Sequence, residues 1–113
     1  MSEGLPTHIE VGGILRRAEQ AGGFGTVLRK GDEERGSLLL VVASRGRHHS
    51  CLERILDLDG RYQWRVTGPS ESAESPEVSS FLAKRARFDE DLWVIELDVA
   101  DPERFTAETV AEA

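Results

Sequence analysis

The run from Leu38 to Ala43 is apolar at every position. A strand with no polar alternation is buried on both faces or lies at the centre of a sheet, so this segment predicts the middle of the fold. Phe24 to Arg29 alternates, with Phe24, Thr26 and Leu28 on one side. The stretch between, Lys30–Gly36, holds glycines that suit a turn, and the whole of Phe24–Ser44 predicts a hairpin. His49 to Asp57 predicts a third strand. The Asp59-Gly60 pair then marks a tight turn into Tyr62, Trp64 and Val66, which alternate with Gln63, Arg65 and Thr67 as a half-buried strand. Leu92–Asp98 predicts the last strand, with Trp93, Ile95 and Leu97 facing one way and Leu92, Val94 and Glu96 the other.

Two stretches carry helical spacing. Thr7-His8-Ile9-Glu10 fits a capping box with Thr7 as N-cap, and Val11, Ile14, Leu15 and Ala18 follow as one stripe. Gly22-Gly23 closes that helix. Ser75 is the expected cap of a second helix, with Pro76 in its first turn and Val78, Phe81 and Leu82 as its stripe. Asp101-Pro102 is a candidate start for a short terminal helix held down by Phe105, with fraying expected after Thr106. The pattern predicts an α+β fold: an antiparallel β-sheet of about five strands, in chain order α-β-β-β-β-α-β, with two helices packed on one face. Residues 1–113 form a single globular domain in this reading, with 1–6 and 107–113 as frayed tails.

Composition adds limits. At 113 residues the chain suits one core, and 39% hydrophobic with 31% charged residues is ordinary for a soluble protein. No apolar run is long enough to span a bilayer. The start, MSEGLPTHIE, lacks the basic and apolar regions of a signal peptide, and the single Cys51 forms no internal disulfide. Both features lead to the expectation of a cytoplasmic protein with no membrane partner. A net charge of −7 repels nucleic acid at long range. The basic set Arg16, Arg17, Arg29, Lys30, Arg45, Arg47, Arg61 and Arg65 reads as solvated strand ends and helix faces, so nucleic acid is not expected.

The segments LRRAEQAGGFGTVLRKGDEERGSLLLV, LERILDLDG, RARFDEDLWVIELD and DPERF give the chain a recognisable signature. In these it resembles the domain of unknown function 1491 family, small cytoplasmic proteins found mainly in alphaproteobacteria. The likeness spans roughly Ile9 to Phe105, and its most specific parts are the Gly-Asp-x-x-x-Gly and Asp-x-Asp-Leu-Trp elements. Arg35 and Glu90 stand where that family usually has a small residue and a proline. The resemblance implies no catalytic residue.

Four features could carry chemistry. Lys30-Gly31-Asp32 with Gly36 is a candidate anion-binding loop, with Arg85 and Trp93 as further candidate ligand contacts, though turn geometry accounts for the same residues. Asp89, Asp91 and Glu96 are candidate acids, since clustered carboxylates raise one another's pKa. Glu96 shares its strand face with Leu92 and Val94, so it is expected to be partly buried and paired with Arg85 or another arginine. His48-His49-Ser50-Cys51 suggests a metal site, but on a regular strand His49 and Cys51 share a face with Glu53 while His48 points away. Without a second His/Cys cluster, no metal or other cofactor is expected. The fourth is the basic set already named.

The function expected from the residues is a non-enzymatic cytoplasmic module that binds a protein partner or forms a homodimer, covering the surplus apolar sheet surface. Two other readings stand beside it. One is an anion or nucleotide binder using Lys30, Asp32 and Arg85, and the other is a small hydrolase using Asp91 and Glu96.

Overall fold

The computed structural model describes residues 5–111. Its elements are α1 (Thr7–Gln20), β1 (Phe24–Arg29), β2 (Leu38–Ser44), β3 (Arg47–Leu56), β4 (Tyr62–Thr67), α2 (Ser75–Phe88), β5 (Trp93–Asp98) and α3 (Pro102–Ala111). The strands make one sheet in the order β1-β5-β2-β3-β4. β2 lies at its centre, and Leu38 to Ala43 are all buried. Leu38, Leu40 and Val42 pack with Val11, Ala18, Trp93 and Phe105 beneath α1 and α3. Leu39 and Val41 pack with Cys51, Leu92 and Val94 beneath Val78, Phe81 and Leu82 of α2. Unbroken apolarity thus follows from helices covering both faces of the strand.

The α+β class holds, but the sheet is mixed and there are three helices. β2 and β5 run parallel, with Leu40 opposite Ile95, while the other neighbours are antiparallel. The helices lie on both faces, not two on one. The reason is that β5 inserts between β1 and β2, so the expected hairpin never forms. Residues 30–37 instead cross over the start of β5. The Asp32 N–H donates to the Asp91 carbonyl at 3.1 Å, and the Trp93 N–H donates to the Ser37 carbonyl at 2.8 Å. A Cβ on Gly31 would sit 2.1 Å from the Asp91 oxygen, and one on Gly36 2.5 Å from it. Those glycines are needed where backbone passes over backbone, a role that a turn does not distinguish from its own. From β2 to β4 the expected antiparallel meander is present.

Helix ends also differ from expectation. Pro6 occupies the N-cap position of α1, and Thr7 is its first residue. The Thr7 hydroxyl lies 3.2 Å from the carbonyls of both Glu34 and Gly36, which ties α1 to the crossing loop. Ser75 is likewise the first residue of α2, after an extended Glu74. Gly22, with φ 81°, ends α1 as expected: its N–H donates to the Glu19 carbonyl and that of Gly23 to Ala18. Beyond Thr106, α3 continues to Ala111 where fraying was expected. Thr109 is buried there and takes a hydrogen bond from Arg17, whose guanidinium also lies 4.2 Å from the Phe105 ring centroid. Of the expected frayed tails, 1–4 and 112–113 lie outside the described residues. Among the described residues no helix is long and apolar enough to cross a membrane.

Candidate functional site

Asp32, Asp91 and Trp93 meet where the loop crosses β5. The Asp32 carboxylate accepts the N–H groups of Glu34 and Arg35 at 3.1 and 2.7 Å. Its carbonyl accepts Trp93 Nε1 at 2.7 Å and the Gly36 N–H at 3.2 Å. The amides of Asp32, Glu34, Arg35 and Gly36, which an anion would need, therefore already have acceptors within this corner. Lys30 pairs with Glu33 at 3.3 Å in solvent. The two motifs that mark the sequence form one structural joint, with the indole of Trp93 as its pin.

Arg85 lies with a different acid. It donates to Glu53 Oε2 at 2.7 Å, while Arg65 donates to Glu53 Oε1 through Nε and Nη2 at 3.0 and 2.9 Å. The Glu53 side chain is only 11% exposed. Burial pushes its carboxyl up, but the hydrogen bonds and charges of Arg65 and Arg85 outweigh that and hold it below its usual 4.5. This triad joins β3, β4 and α2. Sequence reasoning missed it, although an acid following Cys51 and Leu52 on a strand was a signal that a cation had to be nearby. Cys51 is buried on the same face, which pushes its thiol up to about 11 despite the opposing charge of Arg85.

Glu96 does not pair with Arg85 as expected. It is half-buried in a groove beside α2, among Leu28, Val41, Val78 and Leu82, and among the described residues it makes no ion pair. Asp91 lies in the turn before β5, its carbonyl against Gly31 and Gly36, whereas Glu96 lies within β5 opposite Thr26 and Val41. The structure does not bring these two acids together.

The two edges of the sheet differ in character. β4 carries Gln63 and Arg65, and Arg54 of β3 stacks over Tyr62 at 4.5 Å. Arg54 is itself fixed by a two-pronged pair with Glu10 of α1. β1 carries no charge before Arg29 and exposes Phe24 at 58% and Leu28 at 49%. A bulge between Val27 and Arg29 leaves Phe24 to Val27 regularly paired with β5 on its inner side.

At the other end of the strands, a cleft of about 590 Å³ opens beside the C-terminal ends of β2 and β5. Asp98 closes its floor, accepting the N–H groups of Arg45 and Gly46 at 2.9 Å each. His48, His49 and Glu71 line it. A bulge in β3 opposite Val42 and Ala43 breaks the alternation at His49. Its Nδ1 lies 3.0 Å from Ser50 Oγ, which in turn meets Thr106 of α3 at 3.3 Å. His49 thus turns to the α3 side while Cys51 faces α2, contrary to the shared face a regular strand implies. One ligand atom each of His49, Glu71 and Glu103 lies within 4.8 Å of the others.

The fold is therefore a mixed five-stranded α+β sheet with a cross-over loop locked to its inserted strand, an open hydrophobic edge and an end cleft of histidine and carboxylates. This chain belongs to the family described as protein of unknown function (DUF1491), whose model matches residues 5–107. Its fold is similar to the crystal structure of a DUF1491 family protein from Caulobacter crescentus CB15, with 33% identity, TM-score 0.75, and 89% of this chain and 94% of that one covered. An NMR structure of a DUF1491 family protein from Caulobacter crescentus CB15 matches at 33% identity and TM-score 0.72, covering 85% and 87%. The solution structure of protein Atu0922 from A. tumefaciens matches at 27% identity and TM-score 0.68, covering 86% and 87%. No curated protein matches the chain.

Proposed function

We propose that this protein is a non-enzymatic cytoplasmic module that associates with a second copy of itself through β1. The observation that carries the reading is the contrast between the sheet's edges. β4 has Arg65 and Gln63 along it, the kind of polar guard that keeps an edge from pairing. β1 presents Phe24, Thr26 and Val27 with no charge among them, and Phe24 and Val27 are large exposed apolar groups. An edge strand offers unpaired N–H and C=O groups to any second strand. Two copies of β1 laid antiparallel about a two-fold axis satisfy one another with the same patch on each side, the commonest symmetry for a small oligomer. Pairing would run through Phe24–Val27 and stop at the Leu28 bulge.

The test is light scattering at micromolar concentration on the wild type and on Val27→Lys. The expected masses are about twice 12.5 kDa for the wild type and 12.5 kDa for the variant, because each lysine would set a charge opposite the apolar Phe24 of the second copy. A wild type of 12.5 kDa overturns the proposal, as does a variant that remains dimeric.

A further inference from the structure

We infer that the cleft at the C-terminal ends of β2 and β5 holds a divalent first-row metal ion on His49, Glu71 and Glu103. These residues come from three separate elements: the β3 bulge, the segment between β4 and α2, and the first turn of α3. Their ligand atoms lie within 4.8 Å of one another, and His49 is half-buried while both glutamates are exposed. Small rotations of two free carboxylates close that spacing to the separation set by metal–ligand distances of about 2.0–2.2 Å.

The surroundings of His49 match what a ligating imidazole requires. Its Nδ1 is held by Ser50 Oγ at 3.0 Å, and Ser50 is braced by Thr106. A hydrogen bond at one ring nitrogen orients the ring and leaves Nε2 to the metal. Without the bulge in β3, His49 would lie on the α2 side with Cys51, out of reach of α3.

A second histidine lies beside the first. His48 is only 9% exposed and lines the same cleft. Its Nε2 lies 3.0 Å from the Pro69 carbonyl, which only accepts, so in the neutral ring the proton sits on Nε2. Nδ1 is then a buried lone pair, and it has no partner among the described residues. One imidazole and two carboxylates with open positions suit Zn²⁺ or Mn²⁺, whose remaining sites water would fill. The ion would clasp α3 and the segment before α2 to the sheet.

Titration calorimetry of tag-free, chelator-treated protein with Zn²⁺ and with Mn²⁺ tests this. Saturable binding of at least one of the two ions at one site per chain is expected. His49→Ala, and separately the double change Glu71→Gln with Glu103→Gln, should each weaken it about tenfold or more, and Ser50→Ala about 10–100-fold through the orientation of His49. His8→Ala, on the exposed start of α1, should leave it unchanged. The glutamates are exposed, so their double variant stays folded even if His49→Ala does not. Absence of binding by both ions overturns the inference. So does binding undiminished by the double glutamate change, or weakened equally by His8→Ala.

Discussion

Glu53 and Cys51 show how one environment sets two side chains in opposite ways. Both face α2, and Arg85 touches the chemistry of each. The carboxylate has two guanidinium partners and is held below its usual 4.5, while the thiol is pushed up to about 11 by burial. Cys51 is therefore protonated at neutral pH and shielded, and a thiol reagent should label it only after unfolding. Rapid stoichiometric labelling of native protein at pH 7 would contradict its placement. For Glu53 the sign is that of a depressed acid. Its contribution to stability is fully present above about 4.5 and is lost as pH falls through its lower folded value. Urea melts from pH 7 to pH 3 should show a smaller pH dependence for Glu53→Gln than for wild type across that lower window. Equal slopes would remove the triad from the account of acid stability.

Among the elements, the joint between the crossing loop and β5 organises the fold. Its parts are the Asp32 turn, the two close glycines and the Trp93 indole, whose N–H reaches the Asp32 carbonyl. Trp93 also belongs to the core under α1 and α3 and is 4% exposed. Trp93→Ala should cost about 3–5 kcal/mol in urea melts, as for other large buried aromatics. A loss below about 1 kcal/mol would mean the ring supports little packing. α1 is fixed to the crossing loop by Thr7 and the His8 N–H, and to β3 by the pair of Glu10 with Arg54. α2 has no buried residue of its own and relies on Val78, Phe81, Leu82 and the Arg85–Glu53 pair.

For the whole molecule, the arrangement separates two surfaces. The β1 edge lies at one side of the sheet, and the histidine–carboxylate cleft lies at the ends of the central parallel pair, where it shares Arg47, His48 and Ser72 with the Glu96 groove. Dimerisation along β1 would leave most of that cleft open, since only Phe24 belongs to both. Self-association and metal binding can therefore be measured independently: Val27→Lys should change the mass, and the glutamate double variant the calorimetry. The acids proposed for hydrolysis, Asp91 and Glu96, share no surface of this kind.

Local patterns were sufficient for most elements, because period and burial are properties of neighbours in sequence. Leu38–Ala43 could only be a central strand, the two faces of Leu92–Leu97 were legible from alternation, and Tyr62–Thr67 fell where its Asp-Gly turn placed it. Pairing was not legible. A glycine that permits a turn and one that permits backbone to cross backbone look the same in sequence, so Gly31 and Gly36 suggested a hairpin where β5 intervenes. The partner of Arg85 was likewise open until the sheet order put Glu53 beneath α2. His49 followed the same rule: a one-residue bulge reversed its face, and Glu71 and Glu103, distant in the chain, reached it only through the fold. Which residues are apolar, and how often, fixes the elements, whereas contacts between elements depend on long-range register and close approach, which only the tertiary structure decided.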